Sequence, residues 1–434
     1  MAFPNVCTEV ETMTQNEAAR TQLTKLFDAG SFTELDRLMQ DGDAAASVVC
    51  GYGLINDSPA YAFAQDKAVC SGAISTVSAA KIQKIYQLAA QNGAPVIGLF
   101  DSNGVRLDDG IAAMDAVAKI LYAANELSGV VPQIAVITGS CVGSAAMIAA
   151  AADVVIAAKE ADYYLSADEK TSADVVAEDA DAAIEKARLL LDYLPANNLA
   201  APVLYEAGQA ITAKADDALQ VADVLADAHS LYPLYQTDNA LAALARINGS
   251  SCGIVVLAEE KIGCCAASYA ARFVRFCDAF SLPVITVVDA AGFGCLKGAV
   301  KLDQAYAEAT TAKITLIAGK AYGPVYIAVA GKTAGADVVL AWENASISAL
   351  APETAVPLLW SERLAAMKDP AKEREALVEE YRVTECTAQK AAAQGAVTDV
   401  VAVENTRASV AAYMEMLLGK RVSKLPKKHA NIRL

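Results

Sequence analysis

The chain has 434 residues, 55% of them apolar and 20% charged, which excludes a disordered protein and is enough for two domains of ordinary size. Its formal net charge of −16 excludes a nucleic-acid groove, which needs clustered Lys and Arg to neutralise phosphates. The N-terminus has no basic region followed by an apolar core, so no secretory signal is predicted and the chain is expected in the cytoplasm.

The first part of the chain predicts a helix, a strand and a second helix. Residues 17–40 form an amphipathic helix and its exit, where Gly30 can end the helix before an extended segment. Residues 61–65 have the character of a strand, and residues 78–90 carry apolar side chains on one helical face. This order of elements is typical of an α/β domain.

The central feature of the chain is a repeat of a strand, a small-residue loop and an apolar segment. The first copy occupies residues 94–101, 134–147 and 152–157, and the second occupies residues 282–289, 314–327 and 336–341. Gly139 and Gly319 lie 180 positions apart (319 − 139), so only small insertions separate the copies. The repeat predicts two tandem homologous α/β domains, each with a largely buried sheet.

The uncharged stretch at residues 134–152 is long enough to raise the question of a membrane span. Glycines lie in its middle, and its counterpart in the second copy carries Lys320 and Lys332. Both stretches are therefore predicted to be a buried strand, a turn and a helix.

The segment between the copies predicts the division of the chain. Residues 166–245 are acidic and Ala-rich, which indicates a helical connector. The predicted domains are therefore 1–165 and 246–434, with the boundary near residues 240–250. Residues 420–434 form a basic tail, which is either a solvated arm or a segment that docks on a partner or a neighbouring subunit.

The chain has only two histidines, His229 and His429, and neither lies in the repeat. A Ser-His-Asp site, a Cys-His site and a histidine-based metal centre are therefore not expected, and no metal site is predicted. The ten cysteines include no C-x-x-C pair, which predicts free and mostly buried thiols. Catalysis by such a chain depends on backbone donors more than on side-chain bases.

The small-residue loop Gly139-Ser-Cys-Val-Gly-Ser144 offers such donors. Free N–H groups between a strand and a helix can stabilise an oxyanion such as a thioester enolate, by on the order of 3 kcal/mol per donor. The alternative is a tight strand-to-helix turn that needs glycine for backbone room. Neither this loop nor its counterpart fits the phosphate-binding or dinucleotide-binding glycine motifs.

Motifs spread over most of the chain resemble those of a known family and occur in its order. They are Asp28-Ala-Gly-Ser-Phe-Thr-Glu-Leu35, Phe63-Ala-Gln-Asp66, Asn92-Gly-Ala-Pro-Val-Ile-Gly-Leu99, Asp101-Ser-Asn-Gly-Val-Arg106, Ala271-Arg-Phe-Val-Arg-Phe-Cys-Asp-Ala-Phe280, Ala305-Tyr-Ala-Glu-Ala309, Lys320-Ala-Tyr-Gly323 and Lys428-His-Ala-Asn-Ile432. The chain resembles the carboxyltransferase subunit of biotin-dependent acyl-CoA carboxylases and of sodium-pumping acyl-CoA decarboxylases. The resemblance implies two tandem crotonase-like (ClpP/crotonase) domains.

The resemblance also implies an activity and partners. The activity is carboxyl transfer between biotin and a short-chain acyl-CoA, through an enolate held by backbone oxyanion holes. Biotin is carried by a separate biotin carboxyl carrier protein, and coenzyme A thioester is the substrate. The other implied partners are a biotin carboxylase or membrane decarboxylase subunits, and further copies of the chain in a dimer or a trimer of dimers. Any membrane association comes through such partners.

The family's two oxyanion holes correspond to four residues of this chain. The N-domain hole, a Gly-Gly pair, falls on Gly143 and Ser144, which both have N–H groups. The C-domain hole, a Gly-Ala pair, falls on Pro324 and Val325, and proline has no N–H to donate. The chain is expected to be an active carboxyltransferase with a modified biotin pocket, or alternatively a catalytically weakened scaffold subunit. A crotonase-type isomerase or hydratase is disfavoured, because no paired glutamates flank the loops.

Six further residues are predicted to bind substrate: Asn103, Gly104, Arg106, Lys320, Gly323 and Ile327. Asn103 replaces a glycine of the family motif. Arg106 and Lys320 either face the CoA phosphates or the carried biotin, or close surface ion pairs. Ile327 follows the C-domain hole, where it either lines the acyl pocket or belongs to the core.

Overall fold

The structure is a computed structural model that describes residues 16–42, 44–167, 171–211, 217–366 and 369–431. The chain divides into two compact units, Met1–Val203 (unit 1) and Leu204–Leu434 (unit 2), each with its own sheet and core. The N-terminus, the acidic residues 168–169 and the last residues of the basic tail, 432–434, lie outside the described residues.

Helices and strands alternate along most of unit 1. The helices are α1 (Glu17–Leu26), α2 (Thr76–Asn92), α3 (Ile111–Leu127), α4 (Ser144–Ala150) and α5 (Ala180–Leu191). The strands are β1 (Thr33–Leu35), β2 (Gln40–Asp41), β3 (Ala44–Ala45), β4 (Val48–Ile55), β5 (Ser58–Gln65), β6 (Val96–Ser102), β7 (Gln133–Val142), β8 (Val154–Ala158), β9 (Asp162–Tyr164) and β10 (Val175–Ala177). The predicted helix at 78–90 and strand at 61–65 are confirmed, whereas α1 ends at Leu26, before Gly30.

One mixed sheet forms the framework of unit 1. Its order is β1-β4-β5-β6-β7-β8-β10, and β9 pairs with the end of β7. β4 and β5 form an antiparallel hairpin, and the strands from β5 to β10 run parallel. A parallel sheet needs cover on its faces, and α2, α3 and α4 contribute Ile85, Ile120 and Ile148 to the core beside Phe63 and Phe100. The stretch 134–152 is thus a buried strand, a turn and a helix, as predicted.

Unit 2 repeats this order and adds a helical insertion. Its helices are α6 (Gln220–Leu225), α7 (Cys264–Ala279), α8 (Leu296–Glu308), α9 (Pro352–Leu359), α10 (Ser361–Ala365), α11 (Pro370–Glu385), α12 (Ala388–Ala393) and α13 (Thr406–Leu417). Its strands are β11 (Tyr232–Gln236), β12 (Ala240–Ile247), β13 (Ser250–Leu257), β14 (Lys261–Ile262), β15 (Val284–Ala290), β16 (Gly292–Phe293), β17 (Lys313–Tyr322), β18 (Val338–Trp342), β19 (Ser346–Ser348) and β20 (Asp399–Val401). A π-helix at Tyr326–Ala330 takes the place of α4.

The sheet of unit 2 has the same topology as that of unit 1. Its order is β11-β12-β13-β15-β17-β18-β20, and β19 pairs with the end of β17. The pairing register shifts at the same place in both units, between Phe100 and Ser102 in unit 1 and between Val288 and Ala290 in unit 2. The predicted two tandem homologous α/β domains are therefore confirmed. Within the described ranges, no helix is long and apolar enough to cross a membrane.

An ion pair shows that the repeat extends beyond the part visible in the sequence. Arg188 of α5 contacts Asp28 at 2.8 Å, and Asp28 accepts from the backbone of the β4–β5 turn. Arg407 of α13 contacts Asp227 at 2.6 Å, and Asp227 accepts from the backbone of the β12–β13 turn. Each arginine also donates to the carbonyl of the last residue of the first helix in its unit, Leu26 of α1 or Leu225 of α6. The same device thus ties the first helix of each unit to its last helix.

The segment predicted as a helical connector, residues 166–245, is divided between the two units. α5 lies in unit 1, whereas β11 and β12 are strands in the sheet of unit 2. The division between the compact units accordingly falls between Val203 and Leu204 along the chain, and not near residues 240–250. The reason is that the apolar, Ala-rich run in β12 is buried on both faces, and periodicity cannot distinguish such a strand from a helix.

Two cysteines depart from the expectation of free thiols. Cys264 at the start of α7 and Cys295 before α8 form a disulfide, with Cα atoms 5.4 Å apart. The sequence does not predict this pair, because the two residues are 31 positions apart and only the packing of α7 against α8 brings them together. Of the free cysteines that the structure describes, most are buried as expected, and Cys70 and Cys265 are exposed.

The basic tail contacts its own unit. Lys420 pairs with Asp337 at 2.8 Å, Lys427 pairs with Glu308 at 2.9 Å, and the carbonyl of Asn431 accepts from Gln304 at 3.1 Å. The described part of the tail is therefore anchored along α8 and the start of β18, a third arrangement beside the two that the sequence suggested.

A buried lysine gives unit 2 a pH dependence. Lys313 donates to the carbonyls of Tyr306 at 2.8 Å and Ala309 at 2.5 Å, at the end of α8. Burial, and secondarily the charge of Lys420, lower the pKa of Lys313 from 10.5 to about 8. At the equivalent position of unit 1, Gln133 donates to Ala124 at the end of α3 without a charge. Glutamine can therefore fill this role.

We predict that Lys313→Gln removes a pH-dependent contribution to stability. Between about pH 8 and 10.5 the unfolded state binds more protons than the folded state, so the free energy of unfolding rises with pH over this range. Below about pH 8 the charged, buried lysine therefore lowers the stability of the folded state. The difference in unfolding free energy, wild type minus Lys313→Gln, should therefore rise between about pH 7.5 and about pH 10 in urea denaturation. Lys297→Gln, at an exposed position of α8, is the control. Parallel pH curves for wild type and Lys313→Gln would contradict this account.

Candidate functional site

The loops after β7 and β17 are positioned by the same contact. Asp101, at the end of β6, accepts a hydrogen bond from the N–H of Ser140 at 2.9 Å. A β-carbon on Gly139 would collide with this carboxylate, so only glycine fits beneath it. In unit 2, Asp289 accepts from the N–H of Lys320 at 2.8 Å, and Gly319 lies beneath it in the same way. The carboxylate therefore fixes where each small-residue loop leaves the sheet.

Each loop turns into the following helix at a glycine with positive φ. Gly143 has φ 59° and Gly323 has φ 41°, in the region that side chains rarely adopt. A β-carbon on Gly143 would meet nothing within 4 Å, so the turn needs glycine for its backbone angle and not for room. Both glycine N–H groups are already bonded, Gly143 to the carbonyl of Tyr164 at 3.0 Å and Gly323 to that of Ser348 at 2.9 Å.

The next residue decides what each loop can donate. The N–H of Ser144 has no hydrogen-bond partner among the described residues, and the Ser144 hydroxyl oxygen is buried without one. At the equivalent position of unit 2, Pro324 has no N–H, and the N–H of Val325 has no partner in the described part of the chain. Each unit therefore has unpaired backbone N–H groups at this turn, and unit 2 lacks the first of them.

Gly104 lies against the unit 1 turn, and Asn103 precedes it in the loop after β6. A β-carbon on Gly104 would be 3.5 Å from the hydroxyl oxygen of Ser144 and 3.7 Å from its nitrogen. Asn103 is exposed, and its N–H donates to the carbonyl of Ser71 at 3.1 Å. Ser71 has φ 56°, and the Cys70 before it has φ 48°, so two non-glycine residues in the left-handed region support this loop. The structure thus brings together Asn103, Gly104, Gly143 and Ser144.

Arg106 is engaged in ion pairs within unit 1. Its guanidinium bonds Asp41 at 2.8 and 3.0 Å and Asp109 at 2.7 Å. Partial burial disfavours its charge, but the bonds to Asp109 and Asp41 outweigh that effect and raise the pKa of Arg106. Arg106 thus makes the ion pairs that were one of the two contacts suggested for it, and its part in substrate binding stays a prediction. Its charge is neutralised by its neighbours, and it holds the loop that leads into α3.

The predicted residues of unit 2 surround the Pro324 turn. Lys320 bonds Glu260 at 2.6 Å, and this bond raises the pKa of Lys320. Val325 is buried, whereas Pro324 is exposed. Ile327 is 66% exposed on the π-helix, so its side chain is not part of the unit 2 core. Pro324 and Ile327 therefore present an apolar surface that covers the buried N–H of Val325.

Sequence reasoning missed the residues that position these loops. They are Asp101 and Asp289 beneath the turns, Tyr164 and Ser348 as carbonyl acceptors, and Asp41 and Asp109 around Arg106. The two aspartates had a signal, because each one ends a repeated strand and each faces a repeated glycine. The carbonyl acceptors and the partners of Arg106 had none.

The fold and the loops define a class of protein: two tandem crotonase-like units, each with a backbone donor at the turn between a parallel strand and a helix. The family model described as the carboxyl transferase domain matches residues 13–168 and 167–432. The chain therefore belongs to the carboxyl transferase family, which confirms the resemblance inferred from its motifs.

Individual relatives agree with this assignment. The methylmalonyl-CoA decarboxylase subunit alpha of Propionigenium modestum is 32% identical over 481 residues, which cover 96% of this chain and 93% of the relative. The propionyl-CoA carboxylase beta chain of Saccharopolyspora erythraea is 31% identical over 492 residues, which cover 96% and 90%. The structure of transcarboxylase 12S, solved as a hexamer with methylmalonyl-coenzyme A bound, superposes with a TM-score of 0.88 at 31% identity over 96% of this chain and 92% of that one.

We predict that Gly319→Ala destabilises unit 2 by about 1 to 3 kcal/mol, because the new methyl group displaces the Asp289 carboxylate from the N–H of Lys320. Gly292→Ala is the matched control, since a β-carbon there meets nothing within 4 Å and its φ is not left-handed, and it should cost less than about 0.5 kcal/mol. Urea denaturation of both variants measures the difference. Equal stabilities would show that Asp289 moves freely and does not hold the loop.

Proposed function

We propose that this chain is a biotin-dependent acyl-CoA carboxyltransferase, the carboxylase or decarboxylase component that moves a carboxyl group between carried biotin and a short-chain acyl-CoA. The observation that carries the proposal is the unit 1 turn, where the N–H of Ser144 is unpaired at the end of a parallel strand. The names of relatives aligned over 96% of the chain, which act on methylmalonyl-CoA and propionyl-CoA, support the substrate class. None of these relatives is named as a scaffold.

In this proposal unit 1 binds the thioester. The N–H of Ser144 donates to the thioester oxygen, where negative charge develops as the α-carbon loses its proton. Gly143 sets the direction of this donor through its positive φ, and the bond from its own N–H to Tyr164 keeps the turn rigid. Gly104 leaves room for the acyl group beside Ser144, because its φ of 96° favours glycine and a β-carbon there would lie 3.1 Å from the carbonyl oxygen of Val142.

Unit 2 is the proposed biotin side of the reaction. When bound, biotin on its carrier protein supplies or accepts the carboxyl group. Val325 retains the one N–H of the predicted pair, but the residue is 0% exposed, so this donor does not reach the surface. The exposed Pro324 and Ile327 fit an apolar ring edge or acyl group. Lys320 contributes through its backbone, since its side chain is paired with Glu260.

Assembly is part of the proposal. We infer that the chain forms a dimer or a trimer of dimers, with each site between unit 1 of one copy and unit 2 of another, and that it works with a biotin carboxyl carrier protein and a biotin carboxylase or membrane decarboxylase subunits. The hexameric transcarboxylase 12S supports the homo-oligomer. Unit 1 also exposes an apolar face at the start of α3, where Leu107 and Ile111 are 85% and 79% exposed.

We predict reciprocal effects of exchanging the residues at the two turns. Ser144→Pro removes the unpaired N–H at the first position of a helix, where proline is tolerated, and should lower the rate of carboxyl transfer about a hundredfold. Ser144→Ala keeps the N–H and should retain most of the rate. Pro324→Gly adds a donor in unit 2 and should raise the rate, by up to about a hundredfold.

The assay is transfer between methylmalonyl-CoA and free biotin or the carrier domain, with circular dichroism as the check on folding. An inactive wild type, tested with several short-chain acyl-CoA substrates and the carrier, would overturn the proposed enzymatic function and favour the scaffold alternative. A rate that falls on Pro324→Gly would show that the proline belongs to a differently built site.

We predict that static light scattering at micromolar concentration finds a dimer or a larger multiple of it. Ile111→Glu together with Met114→Glu places charges on the exposed face of α3 and should shift the protein towards monomer, because a charge at a buried interface is costly. Leu199→Glu changes an exposed leucine outside this face and serves as the control. A well-folded wild-type monomer would refute the assembly.

A further inference from the structure

The two units close the same joint with different chemistry. The joint links the start of the helix that follows the β-hairpin (α2 or α7) to the start of the next helix (α3 or α8). In unit 1, the N–H of Thr76 at the start of α2 donates to Asp109 at 3.0 Å, just before α3. In unit 2, Cys264 starts α7 and Cys295 precedes α8, and the two form a disulfide. A covalent bond therefore replaces a hydrogen bond at the equivalent place.

The disulfide is open to solution. Cys264 is exposed and Cys295 is partly exposed, so a small thiol can reach the sulfur atoms. Exposed disulfides are the ones that exchange readily with thiols. The other thiols differ: burial raises the pKa of Cys252, Cys277 and Cys386, which leaves these three unreactive. Cys265, next to Cys264, is the exposed free thiol of the described part of unit 2.

The joint is continuous with the candidate site of unit 2. The segment between β15 and α8, residues 291–295, is held from one side: Ala291 donates to the carbonyl of Glu260 at 3.1 Å, and Gly294 donates to that of Ile262 at 2.9 Å. The side chain of Glu260 in turn holds Lys320 at 2.6 Å. Residues 259–264 therefore connect the disulfide to the loop that carries Pro324 and Val325.

We propose that Cys264 and Cys295 are a reversible thiol–disulfide site that controls the mobility of residues 291–295 beside the unit 2 loop. In the reduced state these residues keep the backbone hydrogen bonds from Ala291 and Gly294 and the short β14–β16 pairing, with two residues on each strand. In the oxidised state the disulfide closes the segment at its other end, where the Thr76–Asp109 hydrogen bond lies in unit 1.

The exchange reaction is balanced by a dithiol reductant. One of its thiolates attacks a sulfur of the pair, the S–S bond breaks, and a mixed disulfide forms. The second thiolate of the reductant displaces the protein thiolate and leaves as its own cyclic disulfide. Two electrons and two protons end on Cys264 and Cys295. Oxidised glutathione reverses the reaction and becomes two reduced glutathione molecules.

The test compares the full chain in dithiothreitol and in oxidised glutathione. Alkylation followed by mass spectrometry should show Cys264 and Cys295 blocked in the oxidised sample and free in the reduced one. Hydrogen exchange of residues 291–295 should accelerate at least about tenfold on reduction, because the closed loop loses its constraint. Cys264→Ser and Cys295→Ser should exchange at the fast rate in both buffers, whereas Cys265→Ser should behave as the wild type does.

Carboxyl transfer, measured in both buffers, is a separate arm that rests on the proposed function. A rate that changes with redox state in wild type and in Cys265→Ser, but not in Cys264→Ser, is the expected result. Absence of transfer in every sample would overturn the proposed function alone, because alkylation and hydrogen exchange still decide this inference. Free Cys264 and Cys295 in oxidised glutathione, or equal exchange of residues 291–295 in both buffers, would overturn it.

Discussion

The contact between a carboxylate and a glycine on the next strand sets the geometry of both units. Asp101 and Asp289 each stand at the shift in register between two parallel strands, and each accepts from the backbone one residue beyond the glycine. Because Gly139 and Gly319 have no side chain, the carboxylate lies directly against the backbone. The direction of each loop, and with it the direction of the donors at Ser144 and Val325, follows from this contact.

The two units have diverged where chemistry is expected and stayed alike where packing is needed. The hairpin turns, the arginine pairs at Asp28 and Asp227 and the sheet order are the same in both. The turns differ at Ser144 and Pro324, and the helix joints differ in kind. Under the proposed function the two turns act on different groups, a thioester and a carried ring, which is a reason for them to differ.

Much of the fold and part of the candidate site follow from the sequence. The repeat, the buried strands and the family all depend on local patterns. The structure confirms the repeat and the strands, and the comparisons with known proteins confirm the family. The sequence left two contacts open for Arg106 and Lys320, because a basic side chain in a motif can face a ligand or an acid. Only the tertiary structure shows that Arg106 bonds Asp41 and Lys320 bonds Glu260. The domain boundary was misplaced, because β12 is apolar along its whole length and gives no period.

The sequence by itself determined that two homologous α/β units are present and that Pro324 removes a donor, because both depend on residue type and order alone. Only the tertiary structure decided that the N–H of Gly143 is used by Tyr164, that Ile327 is exposed and that Cys264 meets Cys295. The contacts join segments that are more than about 20 residues apart, and the exposure of Ile327 depends on such contacts. They follow from how strands and helices pack, and not from the spacing of residues along the chain.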